Sequence, residues 1–66
     1  MQVIVNGEPV ELDKPVTVGE LLGRYGLVPA RVAVEVNQRI VPRADYGRTV
    51  LDDGNQIEIV QFVGGG

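Results

Sequence analysis

With no cysteine and no histidine, this 66-residue chain lacks thiolate nucleophiles, imidazole bases and the usual zinc ligands. Its carboxylates are dispersed, so its side chains assemble no acid–base or nucleophilic centre and an enzyme in its own right is not expected. The one candidate reactive group is the α-carboxylate of Gly66, at the end of Gly64-Gly65-Gly66, directly after the strand-like run Ile57-Glu58-Ile59-Val60-Gln61-Phe62-Val63. A glycine triplet presents bare backbone without Cβ atoms, able to pass where a bulkier residue would clash. A glycine-rich end is equally the signature of a linker or a frayed terminus, so the elements upstream have to decide between the two.

Those elements must fold from little material. A chain this short buries only about 60% of the surface its unfolded form exposes, which leaves scant room for an internal site. Apolar residues are 44% of the total, mostly aliphatic, with Tyr25, Tyr46 and Phe62 the only aromatics. The net charge is −3 and the charges are scattered, so nucleic acid is not an expected partner. No stretch approaches the roughly 20 apolar residues that span a bilayer, and Met1-Gln2-Val3 is not the basic start of a signal peptide; no membrane partner and a cytoplasmic location are expected.

The chain begins with a hairpin: Val3-Ile4-Val5 and Val10-Glu11-Leu12 flank Asn6-Gly7, the strongest short-range signal of a type I′ turn. Val3 and Val5 share one face and Ile4 takes the other, while Pro9 assigns the second strand to an edge. Residues 16 to 27 carry the helix signature. Thr17 and Glu20 form a capping box, Val16 can staple onto Leu21, and Val18, Leu21, Leu22 and Tyr25 make one apolar stripe, with Tyr25 in core or rim packing. Gly26 stands where a left-handed residue ends a helix, Leu27 can reach back to Leu22, and Pro29 prevents continuation.

Val32, Val34 and Val36 then alternate with Ala33, Glu35 and Asn37 as a half-buried strand, Asn37-Gln38 turns the chain, and Pro42 closes a short strand at Ile40-Val41. Tyr46 is expected under the loop that follows, which ends in the turn Asp52-Asp53-Gly54-Asn55. Arg39, Arg43 and Arg48 read as a solvated face paired with Asp45 or Asp52 in preference to a docking contact for an acidic partner. On the last strand Ile57 and Ile59 face the core, leaving Val60 and Phe62 outward; with Ile4 they are expected to form an exposed apolar partner-binding patch beside the tail. The order β-β-α-β-β-β is an α+β plan, a mixed sheet of four to five strands with one helix across one face and the last strand parallel to the first.

Taken together, Val3-Ile4-Val5-Asn6-Gly7, Thr17-Val18 leading into Leu21-Leu22, Val34-Glu35-Val36-Asn37, Ile40-Val41-Pro42-Arg43, Asp53-Gly54 before Ile57-Glu58-Ile59-Val60, and Val63-Gly64-Gly65-Gly66 resemble the ubiquitin-like β-grasp sulfur carriers. Within them the chain is most similar to the thiamine-biosynthesis branch. The molybdopterin branch tends to be longer, with a more aromatic, proline-containing last strand. The third glycine, Gly64, departs from the minimal pair and lengthens the arm.

The resemblance implies a β-grasp domain over residues 1–63 and a tail over 64–66. It further implies that an E1-like adenylyltransferase of the ThiF type adenylates Gly66, consuming ATP, with no cofactor bound to the carrier itself. Sulfur drawn indirectly from a cysteine desulfurase then makes a terminal thiocarboxylate for a thiazole synthase of the ThiG type, with Gly64 and Gly65 threading the tail into both enzymes. The rival expectations are a carrier for another sulfur pathway, a ubiquitin-like protein modifier joined through Gly66, and an interaction domain with an inert end.

Overall fold

The computed structural model describes residues 1–62. Five strands form one mixed sheet in the order β2-β1-β5-β3-β4: β1 is Gln2–Val5, β2 Glu8–Glu11, β3 Val32–Val36, β4 Arg39–Val41 and β5 Gln56–Gln61. Among the described residues a single α-helix, α1, spans Val18–Arg24. The α+β plan expected from the sequence is therefore present with five strands, and β5 lies between β1 and β3, parallel to the first and antiparallel to the second. Pro9 sits in the edge strand β2, where a missing amide donor is tolerated.

Local signals set most of the boundaries. Asn6 and Gly7 take φ of 50° and 83°, as a type I′ turn requires, and β1 pairs antiparallel with β2 across it. The Thr17 hydroxyl accepts from the Glu20 N–H at 3.1 Å while a Glu20 carboxylate oxygen accepts from the Thr17 N–H at 2.8 Å, closing the capping box from both sides. At the other end the Leu27 N–H donates to the Leu22 carbonyl at 3.0 Å and the Gly26 N–H to that of Gly23 at 3.1 Å. These are the two bonds of a Schellman stop, with Gly26 at φ 67°, where an L side chain would be strained. The helix is shorter than the signature over 16–27 because those residues include both caps. Two 3-10 turns, Pro29–Arg31 and Arg43–Asp45, lie in stretches where the sequence has no period to announce them.

One face of the sheet closes the core. Val3, Val5, Val32, Val34 and Ile57 point inward from the strands to meet Val18, Leu21 and Leu22 of α1, with Leu12, Val16 and Leu51 sealing the loops. Tyr46 is buried under the long loop as expected: its hydroxyl donates to the Val32 carbonyl at 3.3 Å and its own carbonyl accepts from the Gly19 N–H at 2.9 Å, tying loop to helix and sheet. Tyr25 ends the helix at the rim, largely exposed. Among the described residues no helix is long and apolar enough to cross a membrane.

Candidate functional site

The stretch that leads to Gly66 is β5, and the sheet holds it unequally on its two sides. Toward β3 the pairing runs the whole length, from Val36 opposite Ile57 to Val32 opposite Gln61, and the Phe62 N–H still donates to the Arg31 carbonyl at 2.8 Å. Toward β1 it covers only two residues, Ile4 opposite Gln56 and Val5 opposite Ile57, before β1 turns away at Asn6.

The asparagines that open the two tight turns fasten β5. Asn37 Oδ1 accepts from the Gln56 N–H at 2.9 Å at its start. Asn6 meets Ile59 with both halves of its carboxamide: Oδ1 accepts from the Ile59 N–H at 2.8 Å and Nδ2 donates to the Ile59 carbonyl at 3.2 Å. That side chain stands in for the strand that β1 no longer supplies. Asn6 was legible in the sequence as a turn residue; its partner, 53 positions away, was not.

The outer face, opposite the helix, carries the side chains singled out for partner binding. Val60 and Phe62 are 58% and 55% exposed, and Val60 lies opposite the small Ala33. Ile4 shares this face but not this patch. The parallel register sets it beside Gln56, four residues before Val60, which is about 13 Å along the strand. The expected cluster of three is thus divided into Val60 and Phe62 at the tail end and Ile4 with its cross-strand neighbour Pro9 at the far end. Between them Glu58 faces Glu35 directly across β5 and β3, two like charges whose juxtaposition costs stability. Ile40 completes that row on β4, exposed and opposite Glu35. Gly64, Gly65 and Gly66 lie outside the described residues.

The arginines scatter. Arg48 pairs with Asp45 at 2.9 Å on the surface and Arg43 donates to the Ala30 carbonyl at 3.3 Å, while Arg39 is exposed on β4. A surface pair of this kind contributes little. The Glu20 carboxyl is held below its ordinary value by the hydrogen bond from the Thr17 backbone and then by that with its hydroxyl. Both belong to the helix cap, not to a reactive centre.

A cleft of about 280 Å³ opens on the helix side of β5, lined by Val5, Asn6, Tyr25, Leu27, Ile59 and Gln61. Sequence reading missed it because it forms where the Schellman turn, the end of β1 and the end of β5 meet, three places far apart in the chain.

Comparison with known proteins assigns this framework. The sequence model of the ThiS family matches residues 3–66. The whole chain is 35% identical to the sulfur carrier protein ThiS of Escherichia coli, covering all of both. It is 42% identical over 66 residues to a thiazole synthase of Paramagnetospirillum magneticum, where it spans only a fifth of that protein's length. Among solved structures, the crystal structure of the thiamine biosynthesis protein ThiS from Geobacter metallireducens superposes with a TM-score of 0.83 at 35% identity, over all of both chains. A family match across 64 of 66 positions, joined to structural similarity over the full length, means that the chain belongs to the ThiS family.

Proposed function

We propose that this protein is a sulfur carrier of thiamine biosynthesis and that Gly66 carries the sulfur. The observations that bear most weight are full-length similarity to a protein named a sulfur carrier and to a thiamine biosynthesis protein, together with the run Gly64-Gly65-Gly66. A free carboxylate is a poor acyl donor. An E1-like adenylyltransferase joins the Gly66 carboxylate to the α-phosphate of ATP, releasing pyrophosphate and installing AMP as a leaving group. A persulfide sulfur drawn ultimately from a cysteine desulfurase attacks the acyl carbon and AMP departs; a thiol of the delivering protein then cleaves the resulting acyl disulfide, forming a disulfide and leaving the terminal thiocarboxylate.

Thiazole synthase is the acceptor in this reading. Its support is that a stretch of the Paramagnetospirillum thiazole synthase aligns with all 66 residues, so in that protein a carrier-like segment and the remaining sequence share one polypeptide. Val60 and Phe62, exposed beside the exit to the tail, dock the folded body on the partner enzymes and offset the ordering cost of the glycines.

Intact mass after incubation with the activating enzyme, ATP and a sulfur donor tests the proposal. One terminal oxygen is replaced by sulfur in the full chain, and nothing changes in a chain lacking Gly66. High-mass isopeptide conjugates would instead identify a protein modifier, and sulfur uptake by the shortened chain would refute the role of Gly66.

A further inference from the structure

Because β5 and β3 are antiparallel, the backbone groups of successive β5 residues point alternately toward β3 and away from it. The bonds at the two ends, Asn37 N–H to the Gln56 carbonyl and Phe62 N–H to the Arg31 carbonyl, set the phase: Gln56, Glu58, Val60 and Phe62 face β3. Ile57, Ile59 and Gln61 therefore present their N–H and C=O on the β1 side. There the Ile57 carbonyl accepts from the Asn6 N–H at 2.8 Å, and Ile59 is satisfied by the Asn6 carboxamide. Gln61 is the next residue in the series, and among the described residues nothing hydrogen-bonds its N–H or C=O. A sheet edge thus opens at Gln61, in line with where β1 would have run had it not turned at Asn6.

Resting on the proposed function, we infer that an extended strand of the activating enzyme adds to this edge at Gln61. The occupant follows from the chain beyond the edge. Of the four residues after Phe62, three are glycines, and an enzyme that holds such a segment in one register has only main-chain N–H and C=O groups to grip. Strand addition supplies that grip and begins most directly on a backbone that already faces outward. The flanking surfaces match the two faces of such a strand. Its inward side chains meet the cleft of Val5, Tyr25, Leu27 and Ile59, and its outward ones lie beside Val60 and Phe62. The enzyme's strand therefore carries apolar residues in alternation at this point. Asn6 ends the closed part of the edge and so sets the register.

The test uses the full 66-residue chain made by chemical synthesis with a single N-methyl group on the Gln61 amide, an edit that leaves the β3 ladder bonds intact. Affinity for the activating enzyme falls about 10-fold, as loss of one well-made hydrogen bond and its close approach requires, while the urea midpoint is unchanged. Amide exchange on the unmodified chain supplies an independent readout: Gln61 exchanges fast alone and becomes protected in the complex, whereas Glu58 is protected in both. Equal affinity of the methylated chain, or a Gln61 amide that stays fast in the complex, overturns the inference while leaving the carrier role standing. Concentration-dependent protection of Gln61 in the chain alone would make the occupant a second copy and overturn it too. An unmodified chain that fails to bind the enzyme at all sinks both this inference and the function on which it rests.

Discussion

Asn6 closes on both backbone groups of Ile59, at 2.8 and 3.2 Å, across 53 positions of sequence. The same residue opens the first hairpin at φ 50°. Two substitutions separate these roles. Asn6→Gly keeps the turn, since glycine takes positive φ freely, and loses only the bonds to Ile59, costing about 1 kcal/mol. Asn6→Ala loses the bonds and strains the turn as well, costing about 2–3 kcal/mol. Urea denaturation of the two variants measures the difference, and equal costs would mean that the bridge, not the turn, is the whole contribution.

The helix cap makes stability depend on pH. The Glu20 carboxyl is held below its ordinary value of 4.5 chiefly by the Thr17 backbone N–H, so its contribution is present above 4.5 and is lost as pH falls through the lowered folded value. Glu20→Gln flattens the acid limb of a urea-midpoint profile taken across the carboxylate range, and Thr17→Ala lowers the whole profile by about 1 kcal/mol. An undiminished acid limb in the Glu20→Gln variant would show that other carboxylates govern it.

The same substitution at two glycines three residues apart acts with opposite sign. Gly23 lies in α1 with open space where a Cβ would go, and Gly23→Ala stabilises by about 0.5–1 kcal/mol through the unfolded state. Gly26, at φ 67°, has the same open space, yet Gly26→Ala destabilises by about 1–2 kcal/mol because its backbone is left-handed. Thermal midpoints of the pair decide whether backbone conformation or local packing controls this turn.

Binding to the proposed activating enzyme tests the divided outer face. Phe62→Ala changes folding stability by less than about 0.5 kcal/mol and weakens binding, since its side chain is exposed and its backbone bond to Arg31 survives. Ile4→Ala and Val60→Ala, about 13 Å apart along the sheet, add within about 0.5 kcal/mol. Val60→Ala and Phe62→Ala, neighbours on one face of one strand, do not. Titration calorimetry of the two double-mutant cycles checks both, and strong coupling of Ile4 to Val60 would restore a single patch.

What could be read from the sequence alone is what short-range physics decides. The capping box of Thr17 and Glu20, the stop at Gly26, the turns at Asn6-Gly7 and Asn37-Gln38 and the period of two in β3 and β5 each act within a few residues. The face on which Ile4, Val60 and Phe62 lie was legible for the same reason. Their positions along the sheet were not, because a period of two specifies a side and says nothing of the offset between strands about 50 residues apart. The tertiary pairing of Ile4 with Gln56 decided that offset, and with it the division of the apolar patch, the reach of Asn6 to Ile59 and the edge left open at Gln61, while the separate register of β3 on β5 set Glu35 opposite Glu58.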